Sequence, residues 1–227
     1  MEQALAHVAV GCNAATNALS VAVNGSSLPP VGGNYCGAFA AKNVVCLLSS
    51  SVDNETLSSP LKIVETLKHQ ETTTDVTRLT SVRLQSDGQS GDVRVLAGDS
   101  EGRVFLWSKV DGLWKVRKVS EDQYKLPTVA VAAVATAVTD RHQIYVATFS
   151  DGTLAVFGQS LEEDEVKLLS RLELGVKTIM EAVDVTVING GESVLVAAGG
   201  VDGKVHLFEL TGDDKLTKVL ELEGHRG

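Results

Sequence analysis

The sequence predicts an all-β fold, an incomplete β-propeller with about four four-stranded blades present. Valine-rich apolar runs recur along the chain, and β-branched residues suit a pleated strand. Turns that carry glycine recur at nearly constant intervals, because Gly102, Gly152 and Gly203 lie 50 and 51 residues apart. No helical periodicity of useful length is present. A β-sandwich, the alternative fold, would not explain the near-constant spacing of these turns.

Each glycine turn joins two apolar strands, and glycine adopts the positive φ of such a turn without steric cost. A weaker copy at 35–49 has Lys42 or Asn43 at the turn, and asparagine tolerates this conformation best after glycine. The three glycine-bearing copies are 93–107 (VRVLAGDSEGRVFLW), 144–157 (IYVATFSDGTLAVF) and 194–208 (VLVAAGGVDGKVHLF).

The hairpin strands are apolar almost without alternation, as in VFLW and LAVF. Because a strand with one face in water alternates apolar and polar residues, these strands are predicted to be covered on both faces. Further apolar runs, VAVAAVATAV at 129–138 and MEAVDVTVI, precede the second and third of these hairpins. A more polar strand follows each hairpin, at 113–121, 166–174 and 216–224. Each unit is therefore predicted to run from an apolar strand through two buried strands to a polar outer strand.

These units set the predicted boundaries along the chain. The polar stretch 49–60 is expected to be a linker between the first and second units. The expected segments are a ring-closing strand at 4–12, blades at 13–50, 60–121, 126–174 and 178–222, and the start of a next blade at 223–227.

The repeated unit resembles the WD40 repeat, which ends its third strand with Trp-Asp and opens the next blade with Gly-His. Trp107 holds the Trp position, while Phe157 and Phe208 replace it in the following units. Asp never follows, and Gly-His occurs once, as Gly224-His225. The family's His–Asp hydrogen-bond network is therefore not assumed in these divergent copies. Since seven blades close the ring in this family, the resemblance implies a fragment with unpaired strand edges at both ends.

The chain also resembles the start of the subunit 2 family of Elongator complexes, which are WD40 scaffolds with two propellers. The resemblance lies in VAVGCNA, in GAFAAKNVVCLL at 37–48, and in VAAGGVDGKVHLFEL followed by LTKVLELEGHRG. It implies a non-catalytic scaffold whose partners are other Elongator subunits, both catalytic and scaffold. That assembly modifies wobble uridines in transfer RNA. A WD40 adaptor of a vesicle coat or ubiquitin ligase, and an enzymatic propeller with a metal in its channel, are the alternatives.

The composition bears on partners and location. A net charge of −9, from 29 acidic and 20 basic residues, argues against direct nucleic-acid contact, which draws on clustered Lys and Arg. The longest apolar run is about half a membrane span, and the N-terminus is not a signal peptide. The spacing of Cys12, Cys36 and Cys46 fits neither a disulfide framework nor a zinc site. We therefore expect reduced thiols, no membrane partner, and a protein of the cytoplasm and also of the nucleus.

No catalytic, cofactor-binding or metal site is predicted, and no cofactor is expected. His206 lies in a predicted buried strand and is interpreted as structural, whereas His225 belongs to the Gly-His element. Only Glu181 and Asp184 suit a metal at a propeller axis, and both come from one blade. The acidic run 162–165 is expected to be a solvated loop and Asp213-Asp214 a turn. The other histidines, His7, His69 and His142, are dispersed.

Overall fold

The structure, a computed structural model, describes residues 17–21, 35–50, 61–68, 77–86, 93–161 and 165–223. These residues form sixteen strands in four four-stranded sheets, and no α-helix occurs among them. The predicted all-β fold of four blades is confirmed. No helix in the described ranges is long and apolar enough to cross a membrane.

The strands of each sheet follow one another in chain order from one edge to the other. The first sheet contains β1 (Leu19–Val21), β2 (Tyr35–Ala41), β3 (Val44–Ser50) and β4 (Leu61–Lys68). The second contains β5 (Leu79–Ser86), β6 (Val93–Asp99), β7 (Val104–Val110) and β8 (Leu113–Lys118). The third contains β9 (Val131–Val138), β10 (His142–Phe149), β11 (Thr153–Ser160) and β12 (Val166–Glu173). The fourth contains β13 (Met180–Ile188), β14 (Ser193–Gly200), β15 (Lys204–Leu210) and β16 (Leu216–Glu223). Short 3-10 turns lie at Asp122–Tyr124, Val176–Thr178 and Asn189–Gly191.

The first blade extends further than predicted. The strand β4 pairs antiparallel with β3, with Leu67 opposite Val45, so the predicted boundaries of 13–50 and 60–121 are wrong at this point. A blade needs a fourth strand on its outer edge, and LKIVETLK supplies it. The predicted linker 49–60 therefore does not separate two blades: its first two residues belong to β3, and 51–60 lie outside the described residues. At the other end, Glu223 ends β16, while 4–12 and 224–227 also lie outside that part of the chain.

The hairpin turns adopt the positive φ that the glycine pattern predicts. The φ angles of Gly102, Gly152 and Gly203 are 81°, 87° and 77°. In the first blade the residue with positive φ is Lys42, at 56°, and not Asn43. The Lys42 side chain is exposed, so this two-residue turn carries backbone strain but no steric conflict in a packed core.

Burial of the central strands follows the prediction in the second and third blades and departs from it in the fourth. Four consecutive residues of β7 and six of β11 are buried. In β15 the pattern alternates, because His206, Phe208 and Leu210 are buried while Val205 and Leu207 are half-buried. One face of the fourth sheet thus packs into a core, and the other is only partly covered.

Two compact units make up the chain, and each has its own core. The first unit contains the described residues up to Ala97 together with Phe105–Arg117. Within it, the backbone N–H of Val82 donates to the Asn17 carbonyl at 2.9 Å, so the chain at β1 runs beside β5. Its buried core residues include Phe105, Trp107, Leu47, Leu79 and Val95.

The second unit contains Gly98–Val104 and the described residues from Lys118 onward. The buried Thr148 hydroxyl on β10 donates to the Met180 carbonyl on β13 at 2.8 Å. This bond ties the third sheet to the innermost strand of the fourth, and apolar packing continues the contact. The buried core of this unit includes Ile144, Val156, Val194, Val196 and Phe208.

Candidate interaction sites

The turns between the second and third strands of three blades are held by their own aspartates. The Asp99 carboxylate accepts hydrogen bonds from the backbone N–H groups of Glu101 and Arg103, both at 2.9 Å. In the same way, the Asp151 carboxylate accepts from the backbone N–H of Thr153, and the Asp202 carboxylate accepts from that of Lys204. Such side-chain-to-backbone bonds order a turn locally. These loops are therefore rigid elements of the surface.

His206 is a structural histidine, as the sequence predicts. It is 2% exposed, its Nε2 lies 2.9 Å from an Asp202 carboxylate oxygen, and its ring stacks on Phe208. Its Nδ1 makes no hydrogen bond in the described part of the chain and lies 3.5 Å from Glu221. A histidine and an aspartate thus do meet in the fourth blade, across the turn of one hairpin. The spacing of four residues around the turn glycine was a usable sequence signal for this pair.

Glu221 on β16 lies between two lysines. Its carboxylate accepts hydrogen bonds from the Nζ atoms of Lys204 and Lys218. These bonds, first that from Lys204 and then that from Lys218, lower the pKa of Glu221 to about 2. The ionised form of this side chain is therefore favoured by the folded state.

A change of Glu221 to Gln is expected to reduce the acid sensitivity of folding. A carboxylate whose pKa is depressed by folding stabilises the protein above pH 4.5, and this contribution disappears as the pH falls towards 2. The effect is small, because Glu221 is an exposed residue and its ion pairs are screened by solvent. Urea midpoints measured from pH 6 to pH 2 should fall less steeply for Glu221→Gln than for the parent. Glu192→Gln, which removes an exposed carboxylate without such partners, should retain the parental slope.

A cluster of charged and aromatic side chains joins strands of the first and second sheets within the first unit. Lys109 Nζ donates to Tyr35 Oη at 2.6 Å and to Glu65 Oε1 at 2.9 Å, and Trp114 Nε1 also donates to Glu65. The ammonium lies 5.1 Å and 5.4 Å from the ring centroids of Tyr35 and Trp114. A cation between two aromatic faces and a carboxylate is well stabilised. The cluster thereby fastens the outer edge of the first blade to the second.

The pKa shifts in this cluster favour the charged forms of Lys109 and Glu65, as in a structural ion pair. Desolvation would lower the pKa of Lys109, but hydrogen bonds to Tyr35 and Glu65 outweigh it and raise that pKa. Desolvation would raise the pKa of Glu65, but the hydrogen bonds that its carboxylate accepts in this cluster outweigh desolvation and lower that pKa. Lys109 therefore remains an ammonium and Glu65 a carboxylate. A nucleophilic lysine needs the opposite shift.

A cavity of about 460 Å³ opens at one edge of the third and fourth sheets, within the second unit. Three turns form its rim: those between β9 and β10, β13 and β14, and β15 and β16. Two of the turns touch closely, because a Cβ at Gly191 would lie 2.6 Å from an Asp140 carboxylate oxygen. The cavity has apolar walls and an acidic rim, and no sequence motif predicted it.

The other candidates from the sequence are dispersed in the structure. Glu181 and Asp184 lie on β13 and are exposed, and no group of metal-ligating residues occurs within the described ranges.

Asp213 and Asp214 occupy a turn, as expected, and Glu165 pairs with Lys167 at 3.2 Å. His142 is half-buried at the cavity, and Cys46 is a buried cysteine that forms no disulfide within the described residues. Outside the described residues lie His7, His69, His225, Cys12 and 162–164, and the Cys36 side chain is likewise not described.

Comparisons with known proteins agree on the architecture. No family model matches the chain. Over 92% of its length it superposes on the C-terminal WD40 domain of Sif2 (14% identity, TM-score 0.52), on Saccharomyces cerevisiae Sqt1 (11%, 0.58) and on the Dos1 propeller (14%, 0.55). The chain covers 49%, 49% and 47% of those chains.

Sequence similarity adds a more specific relation. The chain is 28% identical over 137 residues to Elongator complex protein 2 of Danio rerio, which covers 60% of this chain and 16% of that protein. It is 27% identical over 138 residues to the Elongator complex protein 2 of Arabidopsis thaliana, covering 58% of this chain and 16% of that protein. The chain thus has the fold of a WD40 propeller, four blades of which are present, and its sequence resembles that of Elongator complex protein 2.

Proposed function

We propose that this protein is a non-catalytic WD40 scaffold subunit of an Elongator complex. Its role is to hold other subunits, catalytic and scaffold, in an assembly that modifies wobble uridines of transfer RNA. The observation that carries the proposal is the 28% identity to Elongator complex protein 2 over 137 residues. The relatives are much longer than the aligned segment, so the proposal concerns the whole protein and not four blades alone.

The side-chain chemistry supports a scaffold over an enzyme. The clusters of charged side chains described above act on the fold: Asp99 orders a turn, Asp202 holds His206, and Lys109 bridges two blades. Rigid turns on a β scaffold are suited to presenting a fixed surface to partner proteins. The net charge of −9 is suited to protein partners better than to the phosphates of RNA.

Affinity purification of the full-length protein from its own cells tests the proposal. We expect co-recovery of the catalytic Elongator subunit in near-stoichiometric amounts. Deletion of the gene should abolish most wobble-uridine modification, measured by mass spectrometry of tRNA nucleosides. Fluorescent tagging should place the protein in the cytoplasm and also in the nucleus.

Two results would overturn the proposal. Recovery of vesicle-coat or ubiquitin-ligase subunits in place of Elongator subunits would assign the chain to a different WD40 adaptor. Modification of tRNA by the purified protein without any other subunit would show that it is an enzyme.

A further inference from the structure

We infer that the cavity between the third and fourth sheets is a binding site for an arginine side chain of a partner polypeptide. The inference rests on the proposed function only in assigning that polypeptide to a partner subunit. The cavity volume, about 460 Å³, lies in the range of pockets that hold a ligand group. Its three carboxylates, its apolar walls and the Ser193 hydroxyl in its lining carry the argument.

The charges at the rim select a cation. Asp140, Glu192 and Asp214 each belong to a different turn, and all three are exposed residues that line the cavity. Their carboxylates form no ion pair in the described part of the chain. Arg141 is the one arginine or lysine among the described lining residues, which leaves the rim negative. A neighbouring positive group would therefore be attracted there.

The walls select a cation with an apolar stem. Ile144, Val194 and Leu210 are nearly fully buried and line the cavity together with the half-buried Leu169. Lys and Arg bury their methylene stems on apolar surface and keep the charged head near polar groups. A small metal ion would leave these walls exposed to water. The long side chain of a basic residue fits both parts of the cavity.

A serine side chain adds a hydrogen-bonding group to the wall of the site. Ser193 is only 8% exposed as a residue and lines the cavity, where its hydroxyl oxygen can accept a hydrogen bond from a bound group. A guanidinium reaching into the cavity would give this oxygen a donor. Its planar fork also matches carboxylates in a bidentate way, which an ammonium does not.

The turns are already ordered to receive such a group. The Thr139 hydroxyl donates to the His142 carbonyl and accepts from the His142 N–H at 2.9 Å, which fixes the first turn. Asp214 takes a φ of 59°, and its N–H bonds to the Thr211 carbonyl at 2.9 Å. Pre-ordered loops reduce the entropy lost on binding.

Methyl NMR of the full 227-residue chain tests the inference. Its four isoleucines include Ile144 in the cavity wall and Ile63 in the other unit. Titration with N-acetyl-Leu-Arg-Leu amide should shift the Ile144 δ1-methyl resonance and leave that of Ile63 unchanged. The peptide N-acetyl-Leu-Gln-Leu amide should cause no shift, and agmatine should bind at least tenfold more weakly than the arginine peptide.

Carboxylate variants supply the matched controls. Asp140→Asn with Asp214→Asn should weaken peptide binding about tenfold or more, because charge-assisted hydrogen bonds are lost. Asp111→Asn neutralises one carboxylate at a positive-φ residue of another turn, with φ 51° against 59° for Asp214, and should leave the affinity unchanged. Dispersed methyl spectra of every variant show that the fold is intact.

The inference is overturned if the glutamine peptide shifts Ile144 equally, if the carboxylate variants bind like the parent, or if no shift occurs at saturating peptide. Agmatine binding as tightly as the peptide would show a site for small amines and not for a polypeptide. None of these results bears on co-recovery of Elongator subunits, so the two proposals fail separately.

Discussion

Replacement of Gly152 by alanine is expected to lower the free energy of unfolding by about 3 kcal/mol or more. Gly152 has a φ of 87°, and an added Cβ would lie 2.1 Å from the carbonyl oxygen of Gly175 and 2.6 Å from its carbonyl carbon. Left-handed backbone costs a non-glycine residue about 1–2 kcal/mol, and overpacking costs about 1–3 kcal/mol more. The obstacle is backbone, which cannot turn aside as a flexible side chain can.

The matched control for this variant is Gly190→Ala in the same unit. Gly190 also has positive φ, 67°, but an added Cβ would meet nothing within 4 Å. Only the cost of left-handed backbone, about 1–2 kcal/mol, then applies. Urea unfolding followed by far-UV circular dichroism should give a clearly lower midpoint for Gly152→Ala than for Gly190→Ala. Equal midpoints would show that the contact with Gly175 relaxes and that φ alone explains the glycine.

The regular spacing of the turn glycines was visible in the sequence, and so was one reason for glycine there, the positive φ of the turn. The second reason, the close approach of another backbone segment, was not visible. Turn chemistry predicts positive φ at residues 102, 152 and 203, and the structure has it. The close approach of another backbone segment is a tertiary contact: a Cβ at Gly102 would lie 2.3 Å from the Pro127 carbonyl oxygen. Such a contact depends on where the chain returns after two further strands. The residue pattern around the turn gives no information on the distance between the turn and this returning segment.

The outer strand of the first blade was missed for a related reason. In LKIVETLK, Ile63 and Val64 are both exposed and Leu67 is buried, so burial on this edge does not follow alternation. The pattern is compatible with the last strand of one blade or the first of the next. Only its pairing with β3 decides, and the long polar stretch before it favours the wrong choice.

The cavity and the charged cluster were harder to predict from the sequence than the fold was. Glu65 and Lys109 are 44 residues apart, and the cavity rim takes residues from three separate turns. A propeller prediction places turns of neighbouring blades on one edge of the sheets, but not their side chains within bonding distance. The pair of Asp202 and His206 is the exception, since a four-residue spacing around one tight turn brings the two together.

Trp107 should be the most sensitive large side chain of the first unit. It is 2% exposed within that unit's core, and its Nε1 donates to the Lys68 carbonyl at 3.4 Å. Trp107→Ala removes the ring, leaves a cavity and deprives the carbonyl of a donor. Loss of a buried tryptophan in this way is expected to cost about 3–5 kcal/mol.

Trp107→Phe separates burial from the hydrogen bond. Phe157 and Phe208 stand at the same distance, five residues, from their turn glycines and are fully buried, so the blade accepts phenylalanine there. This variant loses a long hydrogen bond and part of the ring, for which we expect about 1–1.5 kcal/mol. Urea midpoints should therefore rank parent, Trp107→Phe and Trp107→Ala in that order, with the larger gap before alanine. If phenylalanine proves as destabilising as alanine, then the bond from β7 to β4, and not apolar burial, joins these two strands of the first unit.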